Sequence, residues 1–405
     1  MKDKKLEKLI REEQKRQELT INLIPSENYA PPEILAVLGS ALVNKYSEGY
    51  PGRRYYPGNE IYDQIEELAK ERVGKLFGLS DDWQVNVQPY SGSPANLAVY
   101  FSLMDFGETL MGMRLDAGGH LTHGHRVNFS GRVYKTVQYG VDLATGLLDY
   151  DDLERLVGLH QPRVIVSGAT AYPRKIDFGR IGKIARRVGA YHVADIAHIA
   201  GLVVTGLHPA PFAHADVVTT TTHKTLRGPR GAVIICRPEL ADRINRSVFP
   251  GMQGGPHNNQ TAAIALMAFL DSQNTFRRYQ EQIVKNAQAL AKELIAGGFD
   301  LVTNGTDNHL LLVDLKLIGL EGKVAERLLE EAGIIANRNS IPGDTSPFNP
   351  SGLRLGTPAV TTRGMREKEM TAIAGLIAGV LMSKQPPAMV RKKTEALCRR
   401  FPLSY

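Results

Sequence analysis

The chain has 405 residues, 43% hydrophobic and 22% charged, which is ordinary for a globular protein and long enough for two sizeable domains. No apolar run reaches the roughly 18 residues of a membrane span, and Cys236 and Cys398 stand far apart in sequence and outside any metal-ligand spacing, so neither a disulfide framework nor a zinc site is indicated. The net charge of +7 is confined to the ends: residues 1–20 carry 7 basic and 5 acidic side chains and residues 384–405 carry 6 and 1, leaving a neutral body without the basic stripe of a nucleic-acid binder.

The N-terminal MKDKKLEKLIREEQKRQ lacks the apolar core of a secretory signal and is too acidic for a transit peptide, so a cytoplasmic location is expected. Leu6, Leu9 and Ile10 predict an amphipathic helix over 2–18, an arm with one narrow apolar stripe that packs on something. In LTINLIPSENYAPPEIL, Ser26, Glu27 and Asn28 interrupt apolar residues ahead of a helix starting near Pro31 or Pro32, either as caps or as functional polar groups. The segment Asn44 to Glu60, NKYSEGYPGRRYYPGNE, holds four tyrosines, two arginines and Glu48 among turn formers. It reads as a rigid loop, either functional or part of a wet subunit interface.

Further on, VNVQPYSGSPANLAVYFSL runs strand, Gly/Ser turn, helix, and amides and hydroxyls gathered at a helix start make an anion site suited to a cofactor phosphate. AGGHLTHGHRVNFSG carries His120, His123 and His125. With no carboxylate or cysteine nearby to complete a ligand set, an imidazole stacked on a planar cofactor is preferred to a metal site. From Asp151 to about Asn274 strand and helix patterns alternate, which predicts a mainly parallel sheet with helical crossovers.

A helix from about Phe276 to Ile295 leads into a second domain with a strand at HLLLVDL and an apolar strand containing Arg354. That guanidinium is either in a structural ion pair or meets an anionic ligand, for which its fork matches a carboxylate. The expected organisation is an N-terminal arm over 1–20, a large domain over 21–275, a small domain over 276–383 and a basic tail over 384–405.

The chemistry centres on VVTTTTHKTLRGPRG. Val217, Val218 and Thr219 to Thr222 are β-branched and suit a buried strand, which Gly228, Pro229 and Gly231 then break. Lys224 therefore sits just past a strand end, where open α/β sheets bind ligands. Alone it would be a solvated charge. The second residue is Asp195, 29 positions upstream in YHVADIAHIAGL, again at the end of a short strand. A pyridoxal phosphate site needs a lysine for a Schiff base and a carboxylate to keep the pyridine nitrogen protonated. Two neighbouring strands ending in Asp195 and Lys224 supply both.

With TTTTHKTLRGPRG, DIAHIAGL, KYSEGYPGRRYY, SENY, GGHLTHG and SGLRLGTPA in order along the chain, the sequence resembles the serine hydroxymethyltransferase family over about residues 15–385. The resemblance implies an α/β fold of the aspartate aminotransferase type, with a mostly parallel seven-stranded sheet in the large domain, a smaller α+β C-terminal domain, and active sites shared by two subunits of a homodimer. It implies pyridoxal 5'-phosphate as cofactor, and L-serine, glycine and tetrahydrofolate as substrates. In that pattern Lys224 is the Schiff-base lysine, Asp195 the partner of the pyridine nitrogen, His120 the ring-stacking imidazole and His198 a partner of the phenolic oxygen. Ser91, Gly92, Ser93 and His223 match phosphate positions. Tyr46, Thr170, Thr221, Arg230 and Gly255 match further positions around the cofactor. Arg354 and Ser26 match the substrate carboxylate site, Glu48 and Tyr56 the residues that handle the hydroxymethyl group, and Leu115, Gly119, Leu121 and Asn339 the folate contacts.

The chain departs from that pattern at four places: Tyr90 stands where His precedes SGS, Asp116–Ala117 precedes GGH in place of a segment ending in His, Thr170 replaces Ser, and GMQGGP replaces GGQGGP. Two other readings compete. A folate-independent aldolase of β-hydroxy amino acids would use the same lysine chemistry and is separated by cleaving serine with and without tetrahydrofolate. A catalytically silent, RNA-binding relative would use the basic ends, and intact Lys224, Asp195 and Glu48 argue against it.

Overall fold

Runs of β-branched and apolar residues build a seven-stranded sheet in the unit Ala30–Gln280. Its strands are β1 (Gln84–Asn86), β2 (Thr109–Met113), β3 (Lys135–Tyr139), β4 (Val164–Ser167), β5 (Tyr191–Asp195), β6 (Val217–Thr221) and β7 (Ala232–Cys236). They lie side by side in the order β1-β7-β6-β5-β4-β2-β3. All neighbouring pairs from β6 to β3 are parallel, and β7 runs antiparallel to both β6 and β1. Every residue of β4, β6 and β7 is buried, as expected where crossover helices cover both faces. One such helix, Phe178–Arg187, shows how closely they pack: Asp177 caps it by accepting from the Arg180 amide, and a Cβ on Gly182 would come 2.4 Å from the His214 carbonyl oxygen.

Pairing of Val193 with Val217, Ala194 with Val218 and Asp195 with Thr219 fixes the register of β5 against β6, so the two strands end beside each other. This puts Asp195 and the turn bearing Lys224 at the carboxyl ends of two adjacent interior strands. Residues 1–344 and 349–403 of the computed structural model are described. No helix among them is long and apolar enough to cross a membrane.

The other unit, Met1–Tyr29 with Glu281–Tyr405, is built on a four-stranded antiparallel sheet in the order Asp300–Leu301, Leu310–Asp314, Gly352–Gly356, Asn337–Asn339. Its core gathers Leu311, Val313, Leu353 and Leu355 with Leu329, Met370, Ile373 and Ile377 from the helices. Three features differ from the sequence expectation. Residues 21–29 belong here and not to the large domain, because Ile21–Asn22 pairs in parallel with Ile334–Ile335 and Gly356 donates to the Leu23 carbonyl. The supposed tail contains a helix, Pro387–Arg399, that buries Val390, Thr394, Leu397 and Cys398 under its charged face; Ser404 and Tyr405 lie outside the described residues. The N-terminal helix, Lys4–Leu19, forms as expected, but no residue of it is buried and Leu6, Leu9 and Ile10 are exposed.

Arg363 joins the chain ends in this unit. Its buried guanidinium donates to the carbonyls of Gln17, Glu18 and Thr20 and to those of Cys398 and Phe401. It thereby satisfies the unpaired carbonyl ends of two helices at once, where a cation is also favoured by the helix dipoles.

Candidate active site

At the end of β5 the Asp195 side chain is 12% exposed and its carboxylate accepts three hydrogen bonds. Its Oδ2 accepts from Asn96 Nδ2 at 2.8 Å and from His123 Nε2 at 3.1 Å, and its Oδ1 accepts from the Ala197 amide at 3.0 Å. Burial alone would raise its pKa, yet the bond from His123, the two imidazoles nearby and Asn96 hold it well below the usual carboxylate range. The His123 tautomer follows from the geometry: its Nδ1 accepts from the His120 amide at 3.3 Å, so the proton is on Nε2 and points at Asp195. Asn96 is fixed in turn, receiving the Thr219 hydroxyl at 2.6 Å and donating to Thr122 Oγ1 at 2.9 Å.

Beyond β6 the backbone folds into a closed turn. The Gly228 amide donates to the Thr222 carbonyl at 2.7 Å, the Arg227 amide to the Lys224 carbonyl at 3.1 Å, and the Thr222 hydroxyl to the Pro229 carbonyl at 2.6 Å. Lys224 occupies this turn, half-buried. The turn is tied to the segment after β5: Thr221 donates to the Ala197 carbonyl at 3.3 Å, and Thr225 Oγ1 meets the His198 carbonyl at 3.4 Å while accepting from the Gly201 amide at 3.0 Å. His198 itself is buried. His223 precedes the lysine with its Nδ1 buried and without a hydrogen-bond partner among the described residues. Burial, then the Lys224 and Arg230 cations, push its pKa down to about 3, so the ring is neutral. Arg230 is exposed.

Ser91 is the cap residue of the helix Gly92–Leu103, and its side chain makes no capping bond. Glycine is required at 92 because a Cβ there would lie 2.8 Å from the Thr221 methyl. His120 is half-buried, its Nδ1 accepting from the Thr122 amide at 3.2 Å. Thr170 steadies the turn leading to it by donating to the Gly119 carbonyl at 3.0 Å. Of the other departures, Asp116 takes the Arg114 guanidinium at 3.0 Å and Ala117 is buried. Leu115 is half-buried, Leu121 is 40% exposed, and a Cβ on Gly119 would strike the Met113 carbonyl at 2.0 Å. The fourth residue matched to folate, Asn339, belongs to the other unit.

Within the tyrosine-rich loop a short hairpin forms, Gly49–Tyr50 against Arg53–Arg54. Gly49 has φ +93°, and a Cβ there would come 2.3 Å from the Arg53 carbonyl oxygen. The buried Arg54 guanidinium pairs with Asp63 at 2.8 Å and Glu66 at 2.6 Å and donates to the carbonyls of Ser47 and Gly49, on either side of Glu48. Tyr46 and Tyr56, 55% and 42% exposed, pack with ring centroids 5.2 Å apart. Glu48 Oε1 lies 3.3 Å from where a Cβ of Gly254 would stand, and Tyr46 covers Gly255.

In the other unit Arg354 alternates with the core residues Leu353 and Leu355 and so projects from the opposite face of its strand. Its Nε donates to Asn337 Oδ1 at 3.3 Å, and burial lowers its pKa to about 10. Ser26 follows Pro25, which packs against Gly356 two residues beyond Arg354.

The mostly buried, ionised carboxylate, the half-buried lysine in the turn after the adjacent strand, the orphaned His223 nitrogen and the uncapped helix start fit a flat, phosphorylated cofactor such as pyridoxal phosphate. Asn96 and His123 were missed from sequence as partners of Asp195. The signal for His123 was its place three residues after His120 in GGHLTHG, and Asn96 lies one helical turn beyond Gly92.

A family model described as serine hydroxymethyltransferase matches residues 1–377. Proteins named serine hydroxymethyltransferase from Sorangium cellulosum and Legionella pneumophila are 52% and 53% identical to the chain. Each alignment covers 99% of this chain, with 95% and 97% of the respective relatives. A third so named, from Acidothermus cellulolyticus, is 55% identical over 91% of this chain and 86% of its own length.

Proposed function

The chain belongs to the serine hydroxymethyltransferase family, and from that membership we propose which residues carry its reaction, the reversible transfer of the serine hydroxymethyl group to tetrahydrofolate that leaves glycine and 5,10-methylenetetrahydrofolate. The observation that carries the assignment is the register of β5 against β6, which brings Asp195 and the Lys224 turn to neighbouring strand ends. Bound pyridoxal phosphate supplies the electron sink for breaking bonds at the substrate α-carbon.

Lys224 is the covalent attachment point, and Asp195 holds the proton on the ring nitrogen, kept anionic and aimed by His123 and Asn96. His120 stacks on the ring, and His198 bonds its phenolic oxygen. Ser91, Gly92, Ser93 and His223 receive the phosphate, the neutral imidazole of His223 offering a hydrogen bond without adding charge. Arg354, with Ser26, orients the serine carboxylate. Glu48 and Tyr56 move the proton at the serine hydroxyl as its carbon–carbon bond breaks. Leu115, Gly119, Leu121 and Asn339 meet the folate. We assign the enzyme to a cytoplasmic homodimer in which Tyr46, Glu48 and Tyr56 reach the cofactor of the partner subunit.

Borohydride reduction of the holoenzyme followed by peptide mapping tests the reading: the pyridoxyl group is expected on Lys224, and an adduct on any other lysine refutes the assignment. Arg354→Lys should raise the serine concentration needed for half-maximal rate at least roughly tenfold, about 1.4 kcal/mol, since an ammonium cannot form the two aligned bonds of a guanidinium. An unaltered serine dependence would remove Arg354 from the carboxylate site.

A further inference from the structure

We propose that Tyr90 is a positioning residue that fixes Gly255 for its contact with the cofactor of the partner subunit; this rests on the shared-site reading above. The Tyr90 hydroxyl donates to the Gly255 carbonyl at 2.7 Å, and its ring lies flat on the His257 imidazole, centroids 4.2 Å apart and planes 8° from parallel. Two further bonds close the same seam: the Tyr90 amide reaches Gln253 Oε1 at 3.4 Å, and Gln253 Nε2 donates to the Gln88 carbonyl at 2.8 Å. Residues 88–90 are thus fastened to residues 253–257 by three hydrogen bonds and a ring stack.

The segment so held is Gly254–Gly255, two glycines in succession, which have more backbone freedom to lose than any other pair. Gly255 carries Tyr46 and Glu48 with it: a Cβ at Gly255 would sit 3.2 Å from a Tyr46 ring carbon and 3.7 Å from Glu48 Cγ. Those two side chains belong to the group that serves the partner's site, so Gly255 faces that site with them. Tyr90 is directly followed by Ser91, Gly92 and Ser93, which hold the phosphate in the chain's own site. The residue therefore stands where the two sites of the dimer meet within one chain.

The test uses mixed dimers in which one chain carries Lys224→Ala, so that a single site retains its lysine, and the absorbance of lysine-linked cofactor reports that site alone. Tyr90→Phe removes the bond to Gly255 and keeps the stack on His257. Placed on the Lys224→Ala chain, it is expected to raise the cofactor dissociation constant of the complete site about tenfold, in keeping with loss of one hydrogen bond of about 1–1.5 kcal/mol. Placed on the lysine-bearing chain, it should leave that constant unchanged. The melting temperature of the apo dimer should be the same in both arrangements. A change confined to the second arrangement, an equal change in both, or none in either overturns the proposal. Glu48→Gln in the same two arrangements is the control. If it shows no dependence on which chain carries it, the shared site and this inference fall together; if it does and Tyr90→Phe is silent, only this inference falls.

Discussion

Asp195→Asn should weaken cofactor binding and lower serine turnover by at least about a hundredfold, roughly 2.7 kcal/mol in each. Two effects add. The asparagine cannot supply the anion that keeps a pyridine nitrogen protonated. It also fails in its own surroundings: Oδ2 now receives two donors, Asn96 Nδ2 and His123 Nε2, and an amide NH2 in that place would point donor at donor. Turning the amide over moves the conflict to the Ala197 amide, which donates to Oδ1. Either way a buried donor goes unsatisfied, at a cost of about 1–3 kcal/mol. Titration of the apoenzyme variant with pyridoxal phosphate, followed by absorbance, together with steady-state kinetics, measures both. Turnover equal to that of the unaltered enzyme would exclude Asp195 as partner of the ring nitrogen.

The parts of the site that could be read from sequence are those made by short-range patterns. Four threonines after two valines marked β6, and YHVAD marked β5, because β-branched runs that end at glycine and proline leave few alternatives to a buried strand. That the two strands adjoin is a long-range fact, supplied by the parallel pairing of 193–195 with 217–219. The same limit hid the partners of Asp195, which lie 99 and 72 residues away in sequence. Ile21–Asn22 and Ile334–Ile335 are strands of two residues, too short for any period to show. The final helix was obscured for a different reason: in PAMVRKKTEALCR the charges dominate composition, while Val390, Thr394, Leu397 and Cys398, spaced three and four apart, make a narrow buried stripe.

Mixed dimers made from Lys224→Ala and Glu48→Gln chains should regain up to half of the wild-type activity per dimer, although each parent homodimer is nearly inactive in folate-dependent serine cleavage. The expectation follows from two-fold symmetry: when each site draws its lysine from one chain and its glutamate from the other, a mixed dimer contains one site with both groups and one with neither. The intact site takes Lys224 from the Glu48→Gln chain and Glu48 from the Lys224→Ala chain. Structural support comes from how Glu48 is held. Arg54 clamps the carbonyls on both sides of it, and the neighbouring Tyr46 and Tyr56 rings are 55% and 42% exposed, as befits aromatic side chains that complete a surface on another subunit. Rigid support of this kind suits a group that must meet a reacting atom it does not share a chain with, since freedom at the interface would be lost anew on every assembly. Purified mixed dimers as inactive as their parents would mean that Glu48 acts within its own chain, and the shared site would have to be abandoned.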